Sequence, residues 1–198
     1  YQLRWILRHL RRLGGWEDSY LADVATQLGV RQTYHAIALH DLTRQELLEG
    51  RTFPDVIAQG TYPVDIHAPD GEGIAFWRLD GTTRQISGDG KVQTGRWDHQ
   101  PADAPGRETL CYQVPYRSLV PAGLDNVLVA GRCIGADHHA AGALRVMINC
   151  MQFGQAAGTA AAMIAPGGSA KDIDTSQLQR KLITAGAPLR IHGRESAT

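Results

Sequence analysis

The chain has 198 residues, 43% of them hydrophobic and 20% charged, enough for one domain, or two small ones, with a substantial core. Its 20 basic and 20 acidic side chains cancel, which excludes a general nucleic-acid binder, and the composition excludes disorder and collagen-like repeats. Cys111, Cys133 and Cys150 contain no C-x-x-C pair, so neither a disulfide scaffold nor a cysteine zinc site is expected, and the expected compartment is the reducing cytoplasm.

The chain opens in mid-pattern at Tyr1-Gln2-Leu3-Arg4-Trp5, and Arg4, Arg8, Arg11 and Arg12 interrupt any signal-peptide core, so a cut from something longer is expected. Leu3, Ile6, Leu7, Leu10 and Leu13 share one helical face that ends at Gly14-Gly15. This reads as a packed helix with a solvated arginine face rather than one lying on a membrane. Ser19 is a candidate cap for a second helix through Leu21, Val24, Ala25 and Leu28, stopped by Gly29.

From Tyr34 to His40 the pattern shortens toward strand. Thr43-Arg44-Gln45-Glu46 is a capping box that opens a short helix ended by Gly50, and Pro54 to Ala58 reads as another helical turn. Thr61 to His67 alternates like an edge strand, with Pro63 at its start. Ile74 to Leu79 followed by Asp80-Gly81 reads as a strand and hairpin turn. Ser87 to Gly95 reads as turn chemistry, and Asp98 to Arg107 as a polar loop.

Val127-Leu128-Val129-Ala130-Gly131 is a continuous apolar run of the kind found in a parallel strand buried on both faces. Leu144 to Ala165 reads as one long apolar helix ended by Pro166-Gly167-Gly168. Arg145, Asn149, Gln152 and Gln155 argue against its being a membrane span. Within it Gly154, Ala157, Gly158, Ala161 and Ala162 recur at spacings of three and four, a stripe that admits close packing on a sheet or the approach of a flat ligand. A polar tail follows from 169, with one helix from Ser176 to Ala185.

Several separated motifs, in order, carry a resemblance. Tyr112-Gln113-Val114-Pro115-Tyr116-Arg117-Ser118-Leu119-Val120-Pro121, then Asp125 to Ile134, Gly142 to Met147 and Asn149 to Ala162 together resemble the C-terminal half of the FAD-dependent oxidoreductases, flavoproteins distantly related to the fumarate reductase flavoprotein. Leu28 to Thr33, Asp41-Leu42-Thr43, Gly50 to Ala58 and Tyr62 to His67 continue the likeness. The family's G-x-G-x-x-G unit, which cradles the FAD pyrophosphate, is absent: the glycines at 71–73 and 88–90 lack the flanking strand and helix. Relatives carry a basic residue near Tyr34-His35, and Pro-Thr where Ile148-Asn149 stand.

The resemblance implies an α/β chain: a helical segment at 1–30, a β-rich substrate domain at 31–116, and the C-terminal strand and helix of a Rossmann-like FAD-binding domain at 117–168. It implies dehydrogenation of a small alcohol or sugar-like substrate by hydride transfer to flavin N5, inactive without a missing FAD-binding half or companion chain. Gly131 would let the backbone approach the ribityl phosphate, and Arg132 would reach the ribityl chain. Arg145, Val146 and Met147 would begin a helix facing the flavin pyrimidine, with Arg145 and the helix dipole favouring the reduced anionic ring, and Gly154 would line the cofactor side. His138, or its neighbour His139, would take the substrate's hydroxyl proton, and His67 would face the same cleft. Cys133 and Cys150 read as buried packing residues. Two other readings stay open: a cofactor-free module, and a metallohydrolase using Asp65, His67, Asp137, His138 and His139.

Overall fold

A computed structural model describes residues 2–27, 29–32, 34–68, 73–97 and 111–189. The expected loop at 98–107, the end of the tail beyond 189, and Leu28, Thr33 and Gly71 of the motifs above lie outside the described residues. The chain divides into two compact units, 1–30 and 31–198.

In the first unit, α1 runs over Gln2–Leu10 and buries none of its residues, so its apolar face is not the packed surface its spacing predicts. The second helix does not form. Ser19 donates its backbone N–H to Trp16 O and gives its carbonyl to Arg11, and residues 19–27 carry no regular structure. Leu21 and Val24 stay half exposed. A short helix draws most of its stability from burying an apolar stripe, and here the stripe is not buried.

The second unit is mixed α/β with two antiparallel sheets. Residues 34–40 do not form a strand. They are tied by Ala36 N to Cys133 O, Leu39 N to Val120 O and Ala122 N to Ile37 O, with an isolated bridge at Ala38–Pro121. Helix α2 (Arg44–Leu48) begins as its capping box predicts: Thr43 Oγ1 accepts from Glu46 N, and the Glu46 carboxylate accepts from Thr43 N at 3.1 Å. Gly50 follows at φ +66°, a conformation that glycine adopts without strain.

The helical turn expected at Pro54–Ala58 is instead the start of β1 (Val56–Gly60), paired antiparallel with β6 (Tyr112–Pro115). Val56, Ile57 and Ala58 are fully buried, and β-branched side chains fit a covered strand better than one exposed turn. The entry is fixed by Asp55, whose carboxylate takes Arg117 Nε at 2.9 Å, and by Gln113 Oε1, which takes Phe53 N. A four-stranded meander follows in the order β2 (Val64–His67), β3 (Gly73–Trp77), β4 (Thr82–Ser87), β5 (Val92–Arg96). Asp80-Gly81 makes the expected turn, while Val92 to Gly95, within the stretch expected as turn, belongs to the exposed edge strand β5.

The run Val127–Ala130 is not a buried parallel strand. Val127 is 37% exposed, and the segment's backbone tie among the described residues is Val129 N to Leu119 O. A two-sided strand needs a neighbour on each edge to receive its ladder, and among the described residues no strand of either sheet flanks it. The long helix expected from Leu144 to Ala165 is shorter, α4 (Met147–Ala161), and a separate helix α3 (His138–Leu144) ends at its expected start; α5 (Thr175–Thr184) follows. Residues on both sides of position 116 share one core, in which Leu42, Tyr112, Leu119, Phe153 and Leu178 are fully buried. Among the described residues no helix is long and apolar enough to cross a membrane.

Candidate functional site

The break between α3 and α4 builds the centre of the site. Arg145 closes α3 by bonding Ala141 O, Val146 turns extended, and its carbonyl restarts the chain by accepting from Asn149 N and Cys150 N at 3.1 Å. Asn149 holds the break in place. It is 2% exposed, and its side-chain nitrogen donates to Tyr112 Oη at 2.7 Å and Ala143 O at 3.0 Å. An amide thus satisfies a carbonyl that the interrupted helix leaves unpaired. Burial pushes the Tyr112 hydroxyl far above its ordinary range, which keeps it a neutral donor and acceptor.

The N–H groups of Met147 and Ile148 open α4 and have no partner within the helix. Val146 supplies no side-chain cap, and Met147, Ile148 and Met151 are 83%, 63% and 70% exposed. The positive end of a fifteen-residue helix is therefore open. Against it packs a 3₁₀ turn, Gly131–Cys133. Gly131 sits at φ +80°, with nothing within 4 Å of where a Cβ would stand. Arg132 is near enough to favour the Cys150 thiolate, while burial, the larger effect, pushes that thiol up. The turn that carries Gly131 and Arg132 thus packs on the helix that Val146 and Met147 open, and these are four of the residues expected to hold the cofactor.

Other expectations fall differently. Cys133 is exposed and Cys150 half-buried, so neither is the buried packing residue expected. The core-facing side of α4 is Asn149, Phe153, Ala156 and Ala160. Of the small-residue stripe, Gly154, Gly158, Ala161 and Ala162 face outward, and nothing lies within 4 Å of Gly154 or Gly158. Gly154 stands about 10 Å along the axis from Met147.

Arg145 does not aim at the helix opening. Its side chain is 12% exposed, with Nη2 2.9 Å from Asp65 O and 3.8 Å from Asp65 Oδ2. Burial and the neighbouring Arg31 hold its pKa below the ordinary arginine value, opposed by Asp65 and Tyr62. Tyr62 Oη donates to Asp65 Oδ2 at 3.1 Å, and burial and Asp65 push the phenol up. Beside the first turns of α4 lies a cleft of about 440 Å³, lined by Gln59, Tyr62, Cys111, Ile148, Asn149 and Gln152. Gln152 fixes its floor by bonding both N and O of Gln59 at the end of β1.

The histidines open α3. Asp137 caps it, accepting from Ala140 N at 2.7 Å and from Arg44 N at 2.8 Å. His139 packs edge-on to Trp77 at 5.8 Å, and the Arg44 guanidinium lies over the same indole. Burial, then the Arg44 charge, lowers the His139 pKa below its ordinary 6.5. His138 is exposed, 5.6 Å from His139, and meets Gln32 Nε2 through its Nδ1. His67 is apart. It pairs with Ile74 while Trp77 pairs with Val64, three positions or about 10 Å along the sheet. Among the described residues no group of three His, Cys, Asp or Glu side chains is placed to hold a metal, so Asp65, His67, Asp137, His138 and His139 do not form the set the hydrolase reading needs.

Gln32, Arg44, Tyr62, Trp77 and Asn149 were not singled out as site residues in the sequence. Asn149 alone carried a signal, a polar amide inside an apolar helix. Residues 1–182 match the family model described as FAD dependent oxidoreductase. No curated protein and no solved structure matches the chain.

Proposed function

The chain belongs to the FAD dependent oxidoreductases, whose cofactor is FAD, and we propose that its share of the flavin site is the leading end of α4 together with the Gly131–Cys133 turn. The observation that carries this is the uncapped, exposed start of α4 with a positive-φ glycine turn packed on it. These residues fit the group: the N–H groups of Met147 and Ile148 suit the carbonyl edge of a ring, and open space at Gly131 suits close backbone approach. When bound, FAD supplies the chemistry of a two-electron hydride acceptor.

The chain's own residues divide the remaining work. The α4 dipole favours negative charge at its opening by about 0.3–1 kcal/mol where exposed, and Arg132 on the adjacent turn adds a cation. Arg145 orients: by gripping Asp65 it ties the α3–α4 break to β2. For a small alcohol or sugar-like substrate, the histidines that open α3 handle the hydroxyl proton as hydride leaves carbon. His139 suits acceptance, because burial and Arg44 keep its imidazole neutral near pH 7. His67 takes no part in that step at its separation. The pyrophosphate cradle comes from outside these residues, since the sequence has no G-x-G-x-x-G.

Met147→Pro tests the reading. Met147 is the first residue of α4, where proline is tolerated; it removes the N–H along with an exposed side chain, and Met147→Ala, which loses the side chain alone, is the control. With its dinucleotide-binding half present, the wild type absorbs near ~450 nm. The variant, with unchanged helicity, is expected to bind FAD about five- to tenfold more weakly, the loss of one hydrogen bond of about 1 kcal/mol. Unchanged affinity rejects the placement.

A further inference from the structure

A backbone carbonyl starts a chain of proton assignments that reaches His138. His35 Nδ1 lies 3.1 Å from Ile134 O, and a carbonyl oxygen only accepts, so His35 carries its hydrogen on Nδ1. Neutral His35 then offers a lone pair at Nε2. The Gln32 side-chain nitrogen stands 3.2 Å from it and donates. The same NH₂ group has a second hydrogen, and His138 Nδ1 is 3.1 Å away. That nitrogen must accept, which leaves the His138 hydrogen on Nε2.

The reverse arrangement is costly. With the Gln32 amide turned over, its oxygen would need hydrogens on His35 Nε2 and His138 Nδ1. His35 would then carry two and become a half-buried cation, with no carboxylate bonded to it among the described residues. The Asp137 carboxylate near His138 is already taken by Ala140 N and Arg44 N.

We infer that Gln32 and His35 are positioning residues that lock His138 in the Nε2–H tautomer, so that its exposed ring presents a hydrogen-bond donor to a ligand oxygen. A ring so held cannot accept a proton at Nε2. The acceptor's role in the proposed reaction therefore passes to His139, and this last step rests on the functional reading above. The tautomer lock does not, because it depends only on the folded chain.

Long-range ¹H–¹⁵N correlation spectra of the imidazoles, recorded on the full chain at pH above 8, test the lock without flavin. The wild type is expected to show His35 as the Nδ1–H form and His138 as the Nε2–H form, each as a single tautomer. Gln32→Glu presents oxygens only and is expected to move the His138 hydrogen to Nδ1, and Gln32→Leu to leave His138 averaging between forms. His35 found as Nε2–H, or one His138 pattern in all three proteins, overturns the lock. In the flavin-loaded enzyme, His139→Gln is expected to cut kcat at least about 100-fold. His138→Gln, which keeps a donor, is expected to cost less than about tenfold. Equal losses or the opposite order overturn the division of labour while leaving the spectra to judge the lock, and unchanged FAD affinity in Met147→Pro with the expected spectra rejects the flavin placement alone.

Discussion

Gly142→Ala sets two effects of similar size against each other. Gly142 lies inside α3, where alanine is favoured over glycine by about 1 kcal/mol. A Cβ there would stand 2.6 Å from Asp65 O and 3.0 Å from Ile66 Cγ2, against 3.4 Å for ordinary contact, so α3 must move about 0.8 Å from β2. The obstructing atom is backbone in a strand and cannot rotate away. Overpacking of this kind costs about 1–3 kcal/mol. The same carbonyl accepts from Arg145 Nη2 at 2.9 Å, a charge-assisted bond whose stretching adds about 1 kcal/mol. The balance is a net loss of about 2 kcal/mol, or a Tm lower by about 4–8 °C. Gly154→Ala and Gly158→Ala, with nothing within 4 Å of either site, are expected to raise Tm by up to about 2–4 °C each. Calorimetry or urea unfolding of the three variants decides. A neutral or stabilising Gly142→Ala would refute the close packing of α3 on β2 that places the histidines.

Three further outcomes follow from single residues. The His139 pKa is depressed in the fold, so its neutral form contributes stability that is whole above about pH 6.5 and lost as pH falls through the lowered value; His139→Gln should flatten the urea midpoint between pH 7.5 and pH 5. Tyr116 shows the opposite sign: burial pushes its phenol up to about 12, so its contribution is whole below pH 10 and lost as pH rises toward 12. Tyr116→Phe should remove that alkaline slope while costing about 1 kcal/mol at neutral pH for the bond to Ala170 O. Thr43→Ala removes the side-chain half of the capping box, the Oγ1 that accepts from Glu46 N, and should destabilise by about 1 kcal/mol in thermal melts, with no loss expected for Thr43→Ser.

What was legible in the sequence was local chemistry. The Thr43–Glu46 box, the Asp80-Gly81 turn and α5 rest on bonds made within a few residues, and the strands around Val64 and Ile74 pair with each other as sequence neighbours. Elements that depend on distant partners misread. Pro54–Ala58 looks helical until Tyr112–Pro115 pairs with it, and Val127–Ala130 looks like a buried strand because its apolar run says nothing of its neighbours. In α4 the small residues suggested the packing face, yet the core takes Phe153 and Asn149, because Tyr112 offers the amide its partner. The family motifs marked Gly131, Arg132, Val146 and Met147, which lie on or beside two elements that pack together. They did not reveal that Asp65 draws Arg145 away, or that Gln32, 106 positions from His138, controls its ring.

The most direct measurement is a structure of the flavin-loaded protein. The isoalloxazine ring is expected at the opening of α4, with one of its carbonyl oxygens about 3 Å from the Met147 or Ile148 N–H, and the ribityl chain alongside Gly131. A ring bound elsewhere, with aliphatic side chains filling the space in front of Met147, contradicts the placement on which the proposed chemistry depends.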